Sequence, residues 1–315
     1  MPMTSSPDKY AILLQRCSGF PPIPTAVAHP CDASSLTGAL DAARLGLIAP
    51  LLVGPEAKIR AVAQEQNLAL DGIAIVDAPH SHAAAARAVQ AVREGEAELL
   101  MKGSLHTDEL LHEVAAATSG LRTERRLSHV FAMDVPSYHK PLFITDAAVN
   151  IFPKLADKAD IVRNAIELVQ ALGIGRPKVA ILSAVETVSE KIPSTLDAAA
   201  LCKMSDRGQI TGALLDGPLA FDNAISREAA QTKGIRSEVA GDPDILVVPD
   251  LEAGNMLAKQ LTFLAGAQAA GVVLGARVPI VLTSRADSVR ARIGSCAIAV
   301  LLAHARRARK TAQTL

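Results

Sequence analysis

The chain has no tryptophan, only 3% aromatic residues and no net formal charge, its 32 Lys+Arg balancing 32 Asp+Glu over 315 residues. So few aromatics leave no stacking platform for bases or sugars. Balanced charge provides no field to recruit nucleic acid or an anionic membrane. The four cysteines, Cys17, Cys31, Cys202 and Cys296, form no CxxC pair, and no histidine cluster stands at zinc spacing. They read as reduced thiols of a cytoplasmic protein. Residues 261–282 are the most apolar window, but Gln268, Arg277 and Pro279 interrupt it, which argues against a transmembrane helix. Residues 1–10 are polar and the 11–14 run that follows is too short for a signal-peptide core. Three motifs are missing as well: GxxxxGK[ST], a GxGxxG after the first strand, and GxSxG. Their absence removes support for nucleoside triphosphate binding, dinucleotide binding and a serine-hydrolase elbow.

What is present is aliphatic mass, 50% hydrophobic residues arranged in short runs between amphipathic segments. Residues 25–28, 50–53, 73–76 and 99–101 read as buried strands, separated by helical patterns near 35–45, 56–64 and 81–94. That rhythm predicts a parallel sheet with right-handed crossovers. Residues 126–145 break it with strand-like 130–135 and 142–145, joined by a polar tip between Pro136 and Pro141 that suits a domain boundary. A second α/β series follows, with a helix near 154–172 and strands at 179–183, 212–215, 245–248 and 271–274. The chain is long enough for two domains. Periodicity leaves open which sheet receives the strand and helix from Pro279 onward.

The sharpest chemical feature is the stretch Thr283, Ser284, Arg285, Ala286, Asp287 and Ser288. It lies between the apolar run 278–282 and a helical pattern over 289–303. A guanidinium and hydroxyls beside a helix N-terminus favour a phosphate. Taken alone, the turn fits a capped helix with a surface arginine equally well. Lys102, Gly103, Ser104 and Thr107 form a second strand-to-helix turn, at the strand end where open α/β sheets bind ligands. An ordinary capped turn has the same form. The turn around His29 and Cys31 resembles it, with Asp32 or Ser34 as a simple N-cap. Acids and amides also cluster at 216–223 and 248–255. They could hold a divalent metal or a ribose, but they lie in separate turns without fixed ligand spacing, so caps and polar contacts are favoured over a metal site, and no metal is assigned.

Five runs in order, LLMKGSLHT (99–107), LSHVFAMDVPSYHKPLFITDAAVN (127–150), KMSDRGQITGALLDGPLAFDNA (203–224), VAGDPDILVVPDLEAGN (239–255) and VPIVLTSRADS (278–288), resemble the phosphate acetyl/butyryltransferase family. The resemblance covers nearly the whole chain, and its wording is closest to the butyryltransferase branch, some of whose members are named acetyltransferases. It implies the reversible reaction of short-chain acyl-CoA with phosphate to give acyl phosphate and CoA, for which direct transfer in a ternary complex is the expected mechanism. It implies an α/β fold like that of the isocitrate/isopropylmalate dehydrogenases, with two domains of mostly parallel sheets and an interdomain cleft. On this reading residues 1–135 with 279–315 form the first domain and 136–278 the second, which also forms a homodimer interface. Ser284 and Arg285 match the family's catalytic pair. Gly103 and Thr107 match its phosphate-site turn, which Lys102 and Ser104 complete. Asp250, Gly254 and Asn255 match its second-domain polar turn. The implied partners are acyl-CoA, phosphate and acyl phosphate, with coenzyme A as substrate and no tightly bound cofactor. In one respect the chain departs from the family's acetyltransferases: the aspartate seven residues after the serine is Ala291, flanked by Arg290 and Arg292. Asp287 is then the candidate base, or the thiolate is bound with help from neighbouring cations. Two other readings carry different chemistry. One is an NAD- and metal-dependent hydroxy-acid dehydrogenase of the same fold, and the other a non-catalytic subunit that binds CoA or acyl phosphate.

Overall fold

A computed structural model describes residues 9–118, 121–282 and 287–314. The chain divides into two compact units, one of Arg126–Ala269 and the other joining Pro7–Arg125 to Ala270–Leu315.

The discontinuous unit opens with helix α1 (Lys9–Cys17) and then alternates: β1 (Ile23–Ala28), α2 (Ala33–Arg44), β2 (Ile48–Gly54), α3 (Glu56–Glu65), β3 (Ala74–Asp77), α4 (Ser81–Glu94), β4 (Leu99–Lys102) and α5 (Thr107–Ala115). The Arg126–Ala269 unit contains β5 (Ser128–Asp134), β6 (Leu142–Thr145), α6 (Leu155–Ala171), β7 (Lys178–Leu182), α7 (Pro193–Asp206), β8 (Leu214–Leu219), the short α8 (Phe221–Ile225) and α9 (Arg227–Thr232), β9 (Ile245–Val247) and α10 (Leu251–Leu264). The chain then returns to the first unit with β10 (Gln268–Leu274), β11 (Ile280–Val281) and α11 (Val289–Thr314).

In the discontinuous unit the strands run β3-β2-β1-β4-β11-β10. All neighbours are parallel except the β10–β11 pair. Val281 pairs with Met101, so the strand before the Thr283 stretch lies beside β4, the point periodicity had left open. Every residue of β4 is buried, as expected of a parallel strand covered on both faces. In the Arg126–Ala269 unit the order is β5-β6-β9-β7-β8, with β5 and β6 antiparallel.

Three sequence expectations meet a different outcome. The unit breaks fall at 125/126 and 269/270, against 135/136 and 278/279 from the sequence, because the two proline-bounded strands form a hairpin inside one unit and β10 pairs with β11 inside the other. The strand expected to end at Leu215 runs on to Leu219, carrying Asp216, Gly217 and Pro218 within it. Gly217 permits this, since a Cβ there would lie 2.7 Å from the Ile181 carbonyl oxygen. β8 is also at the end of its unit's strand order, where a proline costs no ladder bond. Finally, α11 extends well beyond residue 303. Its added turns are tied down by Arg307, which donates to both carboxylate oxygens of Glu98, and by His304 at the Pro21 carbonyl.

Candidate active site

Ligands of open α/β sheets bind outside the carboxyl ends of the strands, where the strand order reverses. In the discontinuous unit that point lies between β1 and β4. The chain leaves β1 outward to β2 and β3, then crosses back to place β4 on β1's other side. α2 packs with α3 and α11 while α4 packs with α5, so the helices following β1 and β4 diverge to opposite faces. The turns that leave these two strands therefore face the crevice.

The two turns are knitted together by their backbones. Gly103 N–H donates to the Ala28 carbonyl at 2.8 Å, and Ser104 N–H to the His29 carbonyl at 2.9 Å. A Cβ on Gly103 would sit 2.4 Å from the Ala28 oxygen and 2.5 Å from the His29 oxygen. Glycine is required there by the β1 turn itself, and the Gly103 and Ser104 amides are engaged within the protein. The Ser104 hydroxyl donates to the His29 carbonyl at 2.8 Å, accepts from Cys31 N–H at 3.3 Å, and lies 3.0 Å from His29 Nδ1. His29 holds a left-handed backbone with φ of 55°. From the sequence the His29 turn reads as a weak capping signal, and only the pairing of β1 with β4 brings it against the Gly103 turn.

Lys102 is buried, 6% exposed, and its ammonium donates to the Gly103 carbonyl at 3.3 Å. Thr107 opens α5, whose N-cap His106 makes no side-chain capping bond. Asp32 is the N-cap of α2, accepting from Ser35 N–H at 2.7 Å. Burial raises the Cys31 thiol to about 11, with Asp32 adding to the rise and Lys58 opposing it, so the thiolate a nucleophile needs is scarce at neutral pH. The four cysteines are free thiols.

Ser284 and Arg285 lie outside the described residues. On either side of them, β11 ends beside β4, and Ser288 caps α11 by accepting from Ala291 N–H at 3.1 Å. Asp287 lies just before that cap. The arginines flanking Ala291 are engaged by other helices. The Arg290 guanidinium lies 4.1 Å from the Tyr10 ring centroid, and Arg292 is buried against Gly38 of α2.

Asp250, Gly254 and Asn255 come together at the start of α10 in the Arg126–Ala269 unit. Asp250 caps the helix by accepting from Ala253 N–H at 2.9 Å, and Asn255 Nδ2 donates to the Ala147 carbonyl at 3.2 Å. A Cβ on Gly254 would come within 2.6 Å of Val248 and 2.9 Å of Ala147. Each therefore has a structural task in seating α10. Among the described residues, no group of three or more His, Cys, Asp or Glu side chains is positioned to hold a metal ion.

Two α/β units of mostly parallel strands, with a glycine turn and a buried lysine where one strand order reverses, make a frame suited to an anionic ligand. The branched-chain phosphotransacylase from Enterococcus faecalis V583 superposes with a TM-score of 0.79 at 33% identity, covering 90% of this chain and 99% of that one. A phosphate acetyltransferase of Rhizobium meliloti is 67% identical over 308 residues, 98% of each chain. A phosphate butyryltransferase of Clostridium acetobutylicum is 43% identical over 278 residues, covering 88% of this chain and 92% of that one. Residues 80–300 match the family model for phosphate acetyl/butaryl transferase. The chain belongs to that family and is a phosphate acyltransferase.

Proposed function

We propose that the protein interconverts a short-chain acyl-CoA and phosphate with acyl phosphate and free CoA, by direct transfer while both substrates are bound. One observation carries the location of the chemistry. β11 runs parallel beside β4, so the segment after β11 starts from the same carboxyl edge as the crevice between β1 and β4. In this reading Arg285 grips the phosphoryl oxygens, in a bidentate fork where geometry allows, and holds phosphate as nucleophile or leaving group. Ser284 stabilises the oxyanion that develops on the acyl carbonyl. Lys102 adds positive charge, and Thr107 with the first turn of α5 supplies donors for the phosphate. Gly103 and Ser104 shape this turn and bind it to the His29 turn. Asp250, Gly254 and Asn255 would serve the substrate from the start of α10.

The acyl group is acetyl or butyryl, and the high identity to a protein named as an acetyltransferase favours acetyl. The active form is a homodimer. Phe263 and Leu264 on α10 are 79% and 84% exposed, and Ile151 and Phe152 of the same unit are 60% and 75% exposed, apolar surface that association would cover. A cytoplasmic location fits the substrates, and no helix among the described residues is long and apolar enough to cross a membrane.

The test is phosphate-dependent release of thiol from acetyl-, propionyl- and butyryl-CoA, with the wild type and Arg285→Ala. The wild type should show activity and a chain-length preference. The variant should lose at least about 100-fold in kcat/KM with unchanged thermal unfolding. An Arg285→Ala protein that keeps most of its activity sinks the assignment of that residue. A wild type inactive with every acyl-CoA sinks the reaction.

A further inference from the structure

We propose that His29 takes the proton from the attacking CoA thiol and passes it to the departing phosphate. This inference rests on the acyl-transfer reading above. It assigns a group to the task that Ala291 has vacated and for which Asp287 was the sequence's candidate.

The hydrogen-bond network assigns the tautomer. The Ser104 hydroxyl has one proton, and the His29 carbonyl oxygen lies 2.8 Å from its oxygen. Without a proton between them, two acceptors at that separation would repel, so the hydroxyl proton points at the carbonyl. Ser104 Oγ then accepts from His29 Nδ1, 3.0 Å away, and shares the Cys31 N–H, which lies 3.3 Å from it and 2.9 Å from the His29 carbonyl oxygen. Nδ1 therefore carries the ring proton and Nε2 carries a lone pair. A base whose second ring nitrogen is anchored in this way is oriented for proton transfer.

Position and charge agree with the role. His29 is half-buried in the turn that leaves the carboxyl end of β1, next to the switch point. A left-handed backbone is uncommon for a side-chain-bearing residue, and such conformations cluster at functional sites. Burial holds the imidazole below its usual range. Lys58 of α3 pushes in the same direction, while Glu109 of α5, Asp32 in the same turn and a bond to the residue's own backbone oppose them. The ring is therefore neutral at physiological pH and able to accept a proton.

The step balances. As sulfur attacks the acyl carbon, the S–H proton passes to His29 Nε2 and the S–C bond forms. The C–O bond to phosphorus's oxygen breaks, with its electron pair remaining on the phosphate. The imidazolium then gives its proton to that oxygen, releasing hydrogen phosphate and restoring neutral His29. In the reverse direction the same nitrogen takes a proton from hydrogen phosphate and protonates the leaving thiolate.

The test uses His29→Asn and His29→Gly, both compatible with a positive φ. Asparagine also retains a donor for Ser104 Oγ. In each variant kcat should fall about 100-fold in both directions, with KM for acyl phosphate within about threefold and the acidic limb of the wild-type pH–rate profile abolished. Added imidazole should restore at least tenfold of the loss in His29→Gly, which a structural role would not allow. Retention of more than about a third of wild-type kcat by either variant overturns the proposal. So does loss without imidazole rescue in His29→Gly, whether or not the asparagine variant folds. A wild type without acyl-transfer activity would instead overturn the reaction assignment.

Discussion

Gly103→Ala tests the geometry that joins β1 to β4. The added methyl carbon would lie 2.4 Å from the Ala28 oxygen, 2.5 Å from the His29 oxygen and 2.6 Å from the His29 carbonyl carbon. Real Cβ atoms do not approach within 3.0 Å, and all three neighbours are backbone, so no side chain can swing aside. The turns must part by several tenths of an ångström. Such overpacking costs about 1–3 kcal/mol. The shift also strains the hydrogen bond from Gly103 N–H to the Ala28 carbonyl and the two from Ser104 to the His29 carbonyl, each worth about 1 kcal/mol. A total of about 2–5 kcal/mol at about 2–4 °C per kcal/mol corresponds to a fall in Tm on the order of 10 °C. The assay is thermal unfolding followed by circular dichroism, run alongside thiol release from acyl-CoA. Activity should fall at temperatures where the variant is still folded, because the His29 turn has moved. A Tm within 1–2 °C of wild type (below about 1 kcal/mol) with unaltered kinetics would refute the claim that this backbone contact demands glycine.

Other consequences can be checked independently. His129 is fully buried on β5 with no partner for Nδ1 among the described residues, and burial lowers it from 6.5 to about 3. The unfolded chain therefore binds a proton that the folded chain rejects between those values, so stability is lost as pH falls through that window. At pH 5 the loss is about 2 kcal/mol, and His129→Leu should flatten this part of the curve in urea titrations at pH 5 and 7. An acid slope identical to that of wild type would contradict this. Asp250→Ala removes the N-cap of α10 and should cost about 1 kcal/mol in chemical denaturation. A drop in kcat/KM larger than the folded fraction explains would add a substrate contact, and an unchanged unfolding midpoint would contradict the capping role.

The positions of the strands along the chain were legible because buried strands read as short continuous apolar runs, as at 99–101 and 142–145. The strand through Asp216, Gly217 and Pro218 was not, because glycine and proline locally signal a turn. Only the approach of Ile181 and an unpartnered edge make a strand of them. Helix α7 went unread: its N-cap, Ile192, makes no side-chain capping bond, and Pro193 at its first position is the one start signal it carries. Helix α1 went unread in a segment that looked merely polar. It is held by packing on α11, including Tyr10 beneath Arg290.

The candidate site divides in the same way. The sequence by itself determined the chemistry, because the ordered runs around Lys102, Asp250 and Arg285 are long enough to specify a family and its reaction. It also exposed the alanine at residue 291 where an aspartate was expected. What tertiary structure alone decided is which groups meet. β11 returns across more than 170 residues to pair with β4, and His29 reaches Ser104 across 75, separations on which local periodicity is silent. Pairing also gave Gly103 and Ser104 a structural task, since their backbone N–H groups bond to the turn after β1. Through it His29, which read as a residue beside a cap, became the anchored base of the crevice.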